Sequence, residues 1–309
     1  MLGHNYLGAA LAIAGDIEEG KAHLDQSLAL YDPAEHRALA MRLGGEDHRV
    51  SGLYFRSKAL WVLGYPESAL ADVNQALKDA REIGHATSLL WALTGSFFFV
   101  DSYCGYYTKA NARVDELMAL ADEKNAALWK AFGTLGRGCL LALTDKASDA
   151  VPTITSGITT WRLTGSTFFL PTWLSYLGSA HAGVEQLDQA WRCMDEALRA
   201  IETTKETCFE AEANRIAGEI ALRSPEPDKA EAYFKRSLAV AHEQQAKSWE
   251  LRAAMSMARL WRDQGKRDEA RELLAPVYGW FTEGFDTLDL KEAKKLLDEL
   301  VWPLSGDRH

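Results

Sequence analysis

The sequence predicts an all-α fold, a solenoid of about seven helical hairpins with a closing C-terminal helix. Three observations carry that expectation. Small residues recur in one register at Gly20, Ala69, Ala110, Ala150, Ala190, Ala230 and Ala270, in steps of 49, 41 and then 40 residues. Four and eight residues after each of them stand only apolar side chains, from Leu24 and Leu28 in the first unit to Leu274 and Tyr278 in the last. An i, i+4, i+8 stripe is the buried face of a helix, since a strand would show a period of two. The third observation is a second residue twelve positions upstream, small at Gly8, Ser57, Gly138, Gly178, Gly218 and Ala258, with Phe98 as the exception. Small residues there let the two helices of a hairpin approach closely.

Taken in order, the units fall near 1–32, 47–84, 85–125, 126–165, 166–206, 207–246 and 247–284, in one repeat domain spanning 1–309. The turn inside each hairpin holds Gly15, Gly64, Gly105 or Gly265 five residues before the landmark, with Asp145, Glu185 and Pro225 in the other units. Glycine can end a helix there in a left-handed conformation at little steric cost. The 49-residue step reads as a long connection, with Tyr31 to Arg37 and Gly44 to Asp47 supplying the extra length. A capping helix is expected over 289–301, with Asp289 as its N-cap, Glu292 three residues on, and Leu290, Ala293, Leu297, Leu300 and Val301 as its apolar face. Trp302-Pro303 should stop it. This pattern resembles tetratricopeptide repeats, with a period near 40 instead of the usual length of about 34. HEAT repeats share the longer period, but the spacing of twelve followed by a large residue four on favours the tetratricopeptide-like packing.

Composition narrows the function. Of 309 residues, 44 are acidic and 34 basic, a formal charge of −10 that disfavours nucleic acid and anionic membranes as partners. No run of apolar residues is long enough to span a bilayer, and the N-terminus lacks the pattern of a signal peptide, so a cytoplasmic location is expected. Cys104, Cys139, Cys193 and Cys208 form no CxxC and read as reduced, mostly buried thiols.

No reactive constellation stands out. Gly15 to Ala22 (GDIEEGKA) fits GxxxxGK but puts Ala22 where a P-loop needs a hydroxyl, carries three acidic residues, and falls in the first inter-helix turn. The eight histidines show no HExxH and no zinc spacing, and no serine or cysteine sits in a nucleophile motif. Catalytic, cofactor and metal residues are therefore not assigned. Arg252, Arg259, Arg262, Lys266, Arg267 and Arg271 interleave with Glu250, Asp263, Asp268, Glu269 and Glu272, which reads as intra-helix pairing. The recurrent tryptophans read as packing between stacked hairpins.

In such arrays the first helix of each unit lines the concave surface, and residues 18, 15 and 11 before the landmark should point into it. The last two units place Arg252, Met255 and Arg259, and Glu212, Arg215 and Glu219, in those slots. The middle units place Phe132, Leu135 and Cys139, and Ala92, Gly95 and Phe99. Phe99, Phe132, Leu135, Arg215, Arg252 and Arg259 are thus the candidate groove, apolar at its centre and charged at its end. It would take a protein or peptide segment, or a small molecule in a ligand-sensing alternative. Closure of the solenoid on itself would bury the same residues.

From Gln244 to Leu300 the sequence QQAKSWELRAAMSMARLWRDQGKRDEARELLAPVYGWFTEGFDTLDLKEAKKLLDEL resembles the C-terminal repeat region of bacterial signalling proteins. Those proteins join a class III adenylate/guanylate cyclase, or a DNA-binding activator domain, to a STAND-type ATPase and then to such repeats. GHNYLGAALAIAGDIEEGKAHLDQSLALYDPAEHRALA and WVLGYPESALADVNQALKDAREIGH are similar to the start of the same region. The resemblance implies a non-catalytic scaffold for protein interaction or signal relay, with a cyclase or ATPase domain as partner. No cyclase aspartates or complete Walker motif are present, so no catalytic residue carries over.

Overall fold

Small residues on both helices of each hairpin set the architecture. The computed structural model describes residues 1–43 and 45–301, with the side chains of 39–43 left aside. It is all-helical over those residues, and successive helices pack in antiparallel pairs. The pairs are α1 (Leu2–Ile13) with α2 (Ile17–Ala29), and α4 (His48–Val62) with α5 (Pro66–Ile83). α6 (Ala86–Gly95), continued by a π-helical segment Ser96–Asp101, packs with α7 (Tyr107–Glu123). Then come α8 (Ala127–Leu143) with α9 (Ala147–Leu163), and α10 (Leu170–Gly183) with α11 (Leu187–Thr204). α12 (Glu210–Leu222) with α13 (Lys229–Glu243), and α14 (Lys247–Asp263) with α15 (Arg267–Gly279), complete the pairs, and α16 (Leu288–Val301) covers α14 and α15.

The landmark alanines at 69, 110, 150, 190, 230 and 270 are each 0% exposed, and the residues four positions on are sealed with them. The close approach is literal. A Cβ added at Gly8 would lie 2.7 Å from the carbonyl oxygen of Gly20, and one at Gly178 would lie 3.1 Å from that of Ala190. The hairpin turns take the left-handed conformation at Gly15, Gly64, Gly105 and Gly265, and also at Asp145 and Glu185. Phe98, the large residue in a small-residue register, falls in the π segment. Its ring turns to the interior, with centroids 4.3 Å from Trp173 and 5.7 Å from Phe132. The wider π turn re-aims a side chain that would not fit between paired helices.

Two sequence expectations are corrected. The long connection after the first hairpin contains a helix, α3 (Pro33–Leu43), begun by Asp32, whose carboxylate accepts from the backbone N–H of Ala34. Asp289 is not the N-cap of the last helix. It lies inside α16, and its carboxylate is spent on Arg252. Gly44 and the proposed stop at Trp302-Pro303 lie outside the described residues.

The superhelix turns far enough to meet itself. Ser248 on α14 donates to the backbone carbonyl of Trp61 on α4, 187 residues away. Thr207 Oγ1 donates to the carbonyl of Ala14 at 2.6 Å, and Glu283 accepts from the N–H of Ser68 at 2.9 Å. Gly284 N–H donates to Glu67 at 2.7 Å. Along this seam Trp61 stacks on Tyr103 at 4.5 Å and meets Trp249 edge-on at 4.7 Å.

Overpacking a landmark should be severe. Ala190→Leu should destabilise the chain by about 1–3 kcal/mol in urea unfolding, while Glu231→Gln on the outer face should stay within about 0.5 kcal/mol. Equal tolerance at both positions would refute the packing register.

Candidate functional site

The concave axis is filled rather than open. Phe99, Phe132 and Leu135 are 2%, 4% and 0% exposed. Phe132 packs edge-on against Trp161 at 5.6 Å and Trp173 at 5.2 Å, and Phe99 lies 5.3 Å from Phe169. The apolar centre expected for a groove is therefore core, because α9, α10 and Phe169 cover Phe132 and Phe99, and Leu135 packs at Gly157 of α9. Register predicts an inward direction for these side chains but not which neighbouring helices cover them.

The arginine end is also closed, by charge. Glu212 on α12, 1% exposed, accepts from Arg215 Nε and Nη2, both at 2.8 Å. It also accepts from Arg252 at 3.1 Å. Arg252 reaches on to Asp289 of α16 at 2.8 Å and lies over the Tyr103 ring at 5.5 Å. Tyr103 in turn accepts a 2.7 Å hydrogen bond from Tyr176. Burial alone would push the Glu212 carboxyl up, but the two guanidiniums outweigh it and hold the group below its ordinary range. For Asp289 burial wins over Arg252, and its carboxyl is raised. Arg259 remains partly exposed and pairs with Glu292 at 2.9 Å. The arginines of this end thus bind carboxylates of neighbouring helices, not mainly their own as the spacing suggests. Arg215 pairs within its own helix, with Glu212 and Glu219, and Arg262 also pairs with Asp263 at the end of α14.

An open cleft lies instead where the two ends of the superhelix meet. It measures about 960 Å³ and is lined by α2, α4, α5, α13 and α14 together with Trp280. Leu60, Leu63 and Tyr65 form its apolar side, and the half-exposed Trp280 ring lies 5.6 Å from Tyr65. Two of its cations are already paired, Lys21 with Asp25 at 2.7 Å and Lys247 with Glu250 at 2.6 Å. Burial would raise Asp25, yet bonds from Lys21 and Arg56 leave its carboxyl below the ordinary value. Glu18 and Glu243 are exposed at the rim and have no partner among the described residues. Lys21 is thus the cation of an ion pair; of the GxxxxGK stretch only Gly15 and Asp16 lie in the α1–α2 turn, and residues 17–22 open α2.

Sequence periodicity does not point to Tyr65, Trp280, Glu18 and Glu243 as one site, since units four to six apart in the array come together only through closure. No group of three or more metal-ligating side chains occurs among the described residues. No described helix is long and apolar enough to cross a membrane.

No protein-family model matches the sequence, and no curated protein matches it. Among solved structures, the apo form of RapI is similar, with a TM-score of 0.57 and 12% identity over 96% of this chain and 98% of that one. At that identity the likeness establishes the fold, a helical-repeat architecture spanning essentially both chains.

Glu212→Gln should destabilise the chain by about 3–5 kcal/mol, because two buried guanidiniums lose their shared counter-charge. The stabilisation from ionised Glu212 is full above its unfolded value of about 4.3 and is lost as pH falls through its lower folded value. Urea titrations from pH 6 downward should therefore show a shallower acid decline in the variant, by about one proton. An unchanged slope would contradict the assignment.

Proposed function

We propose that the chain is a non-catalytic helical-repeat module that recognises a basic, partly apolar segment of a protein partner in the seam cleft. The observation that carries this reading is the position of the cleft. An occupant touches α2 and α4 from one end of the superhelix and α13 and α14 from the other, so it bridges the closing contact. A partner preferring the closed form would hold the seam, and one excluded by it would compete with closure, which is the thermodynamic content of signal relay. Unpaired Glu18 and Glu243 beside Trp280 and Tyr65 complement a lysine- or arginine-bearing segment, in keeping with the net charge of −10.

The likeness of residues 244–300 to repeat regions of cyclase and STAND ATPase proteins supports a cyclase or ATPase domain, attached or separate, as the partner. A small-molecule sensor is the second reading. A cleft of this volume suits a ligand, whereas the axis around Phe99, Phe132 and Leu135 has no room for one.

Fluorescence anisotropy with short labelled peptides tests the first reading. Lysine- and leucine-containing peptides should bind with a marked salt dependence, and acidic ones should not. Glu18→Lys with Glu243→Lys should weaken binding by at least about tenfold while helicity and melting temperature stay unchanged. Equal binding of acidic peptides, or affinity indifferent to both substitutions, would overturn it.

A further inference from the structure

Among the described residues the interior holds a polar grouping around Lys58 that the proposed recognition does not use. Lys58 on α4 is 4% exposed, yet its ammonium has no carboxylate within ion-pair distance among the described residues. Nζ lies 4.4 Å from the centroid of Phe99 and 4.2 Å from that of Phe169, and its hydrogen-bond acceptor is Cys208 Sγ at 3.4 Å. The nearby Glu206 is engaged by the backbone N–H of Phe169. One turn before Lys58, the Tyr54 hydroxyl is buried with no hydrogen-bond partner. Cys208 sits in the 3₁₀ turn Thr207–Phe209, 150 residues from Lys58, on the opposite side of the seam.

We propose that Lys58 and Cys208 form an oxidant-driven covalent link, a modification site that fastens α4 to the 207–209 turn. Peroxide supplies the oxidising equivalents. Its O–O bond breaks, one oxygen joins Sγ as a sulfenic acid, and the other leaves as water. The uncharged form of Nζ then attacks sulfur, an S–N bond forms, and the S–O bond breaks. The departing hydroxide takes the amine proton as a second water. One peroxide is thus reduced to two waters while thiol and amine become a sulfenamide. All four cysteines are free, and Cys208 alone among them has an amine within hydrogen-bond distance. An amine already held against the sulfur is favoured over any nucleophile that must diffuse in. For Cys104, Cys139 and Cys193 burial pushes the thiol up, to about 11 in Cys193, which keeps these three protonated and slow to react.

The site is distinct from the cleft, and its test requires no partner. The folded chain is treated with one equivalent of hydrogen peroxide, digested with trypsin and mapped by mass spectrometry. We expect cleavage after Lys58 to fail and the peptide 206–215 to appear joined to 57–78, lighter by two hydrogens, about 2 Da, and released by a dithiol. The melting temperature should rise in the oxidised wild type, because the link closes a long loop of the unfolded chain, and should not rise in Cys208→Ser. Lys58→Met should leave Cys208 as a sulfenic acid, trapped by dimedone, with no linked peptide. Cys208 recovered in the wild type as a free thiol or a sulfinic acid, with normal cleavage after Lys58, would overturn the proposal.

Discussion

Closure of the superhelix is the constraint on which the rest of the structure depends. The contact of Trp61 with Tyr103 and Trp249 joins the second hairpin to the last. An open solenoid would separate Trp249 from Trp61 and Tyr103 and leave those seam rings facing water. Burying an aromatic side chain of this size is worth about 1.5–3 kcal/mol. The enclosed rings favour a narrow superhelix over an open groove.

Enclosure sets the electrostatics in turn. Arg252 and Arg215 lie where water would otherwise solvate them, so Arg252 is met by Glu212 and Asp289 from two other helices and Arg215 by Glu212 of its own. Isolated buried charges are expensive, and a hydrogen-bonded network is tolerated where a lone ion is not. The network also ties α16 to α12 and α14, which gives the last helix a directional anchor beyond its apolar face. Lys58 is the exception, held by ring faces and a sulfur without a carboxylate hydrogen bond.

Much of the fold was legible because the repeat is local. Ala190 and Gly178 meet within one hairpin, and a twelve-residue spacing is enough to predict it. The same register predicts that Phe132 and Leu135 face inward, but it does not say what covers them: Leu135 packs at Gly157 of α9 and Phe132 between Trp161 and Trp173. The seam cleft was illegible, since Glu18 and Glu243 are neighbours only after a full turn. Asp289 showed how a capping signature can mislead. A carboxylate near a helix start was read as a cap, when a buried arginine 37 residues earlier had the stronger claim on it. Lys58 did leave a trace, as a lone charge before the apolar run Ala59 to Leu63.

A double-mutant cycle between Trp61 and Trp249 tests closure most directly. Trp61→Leu, Trp249→Leu and the double variant, compared by urea unfolding, isolate the energy of a contact that exists only if the ends meet. Closure predicts a coupling of at least about 0.5–1.5 kcal/mol, as for a buried aromatic pair. Additivity within about 0.3 kcal/mol would contradict it.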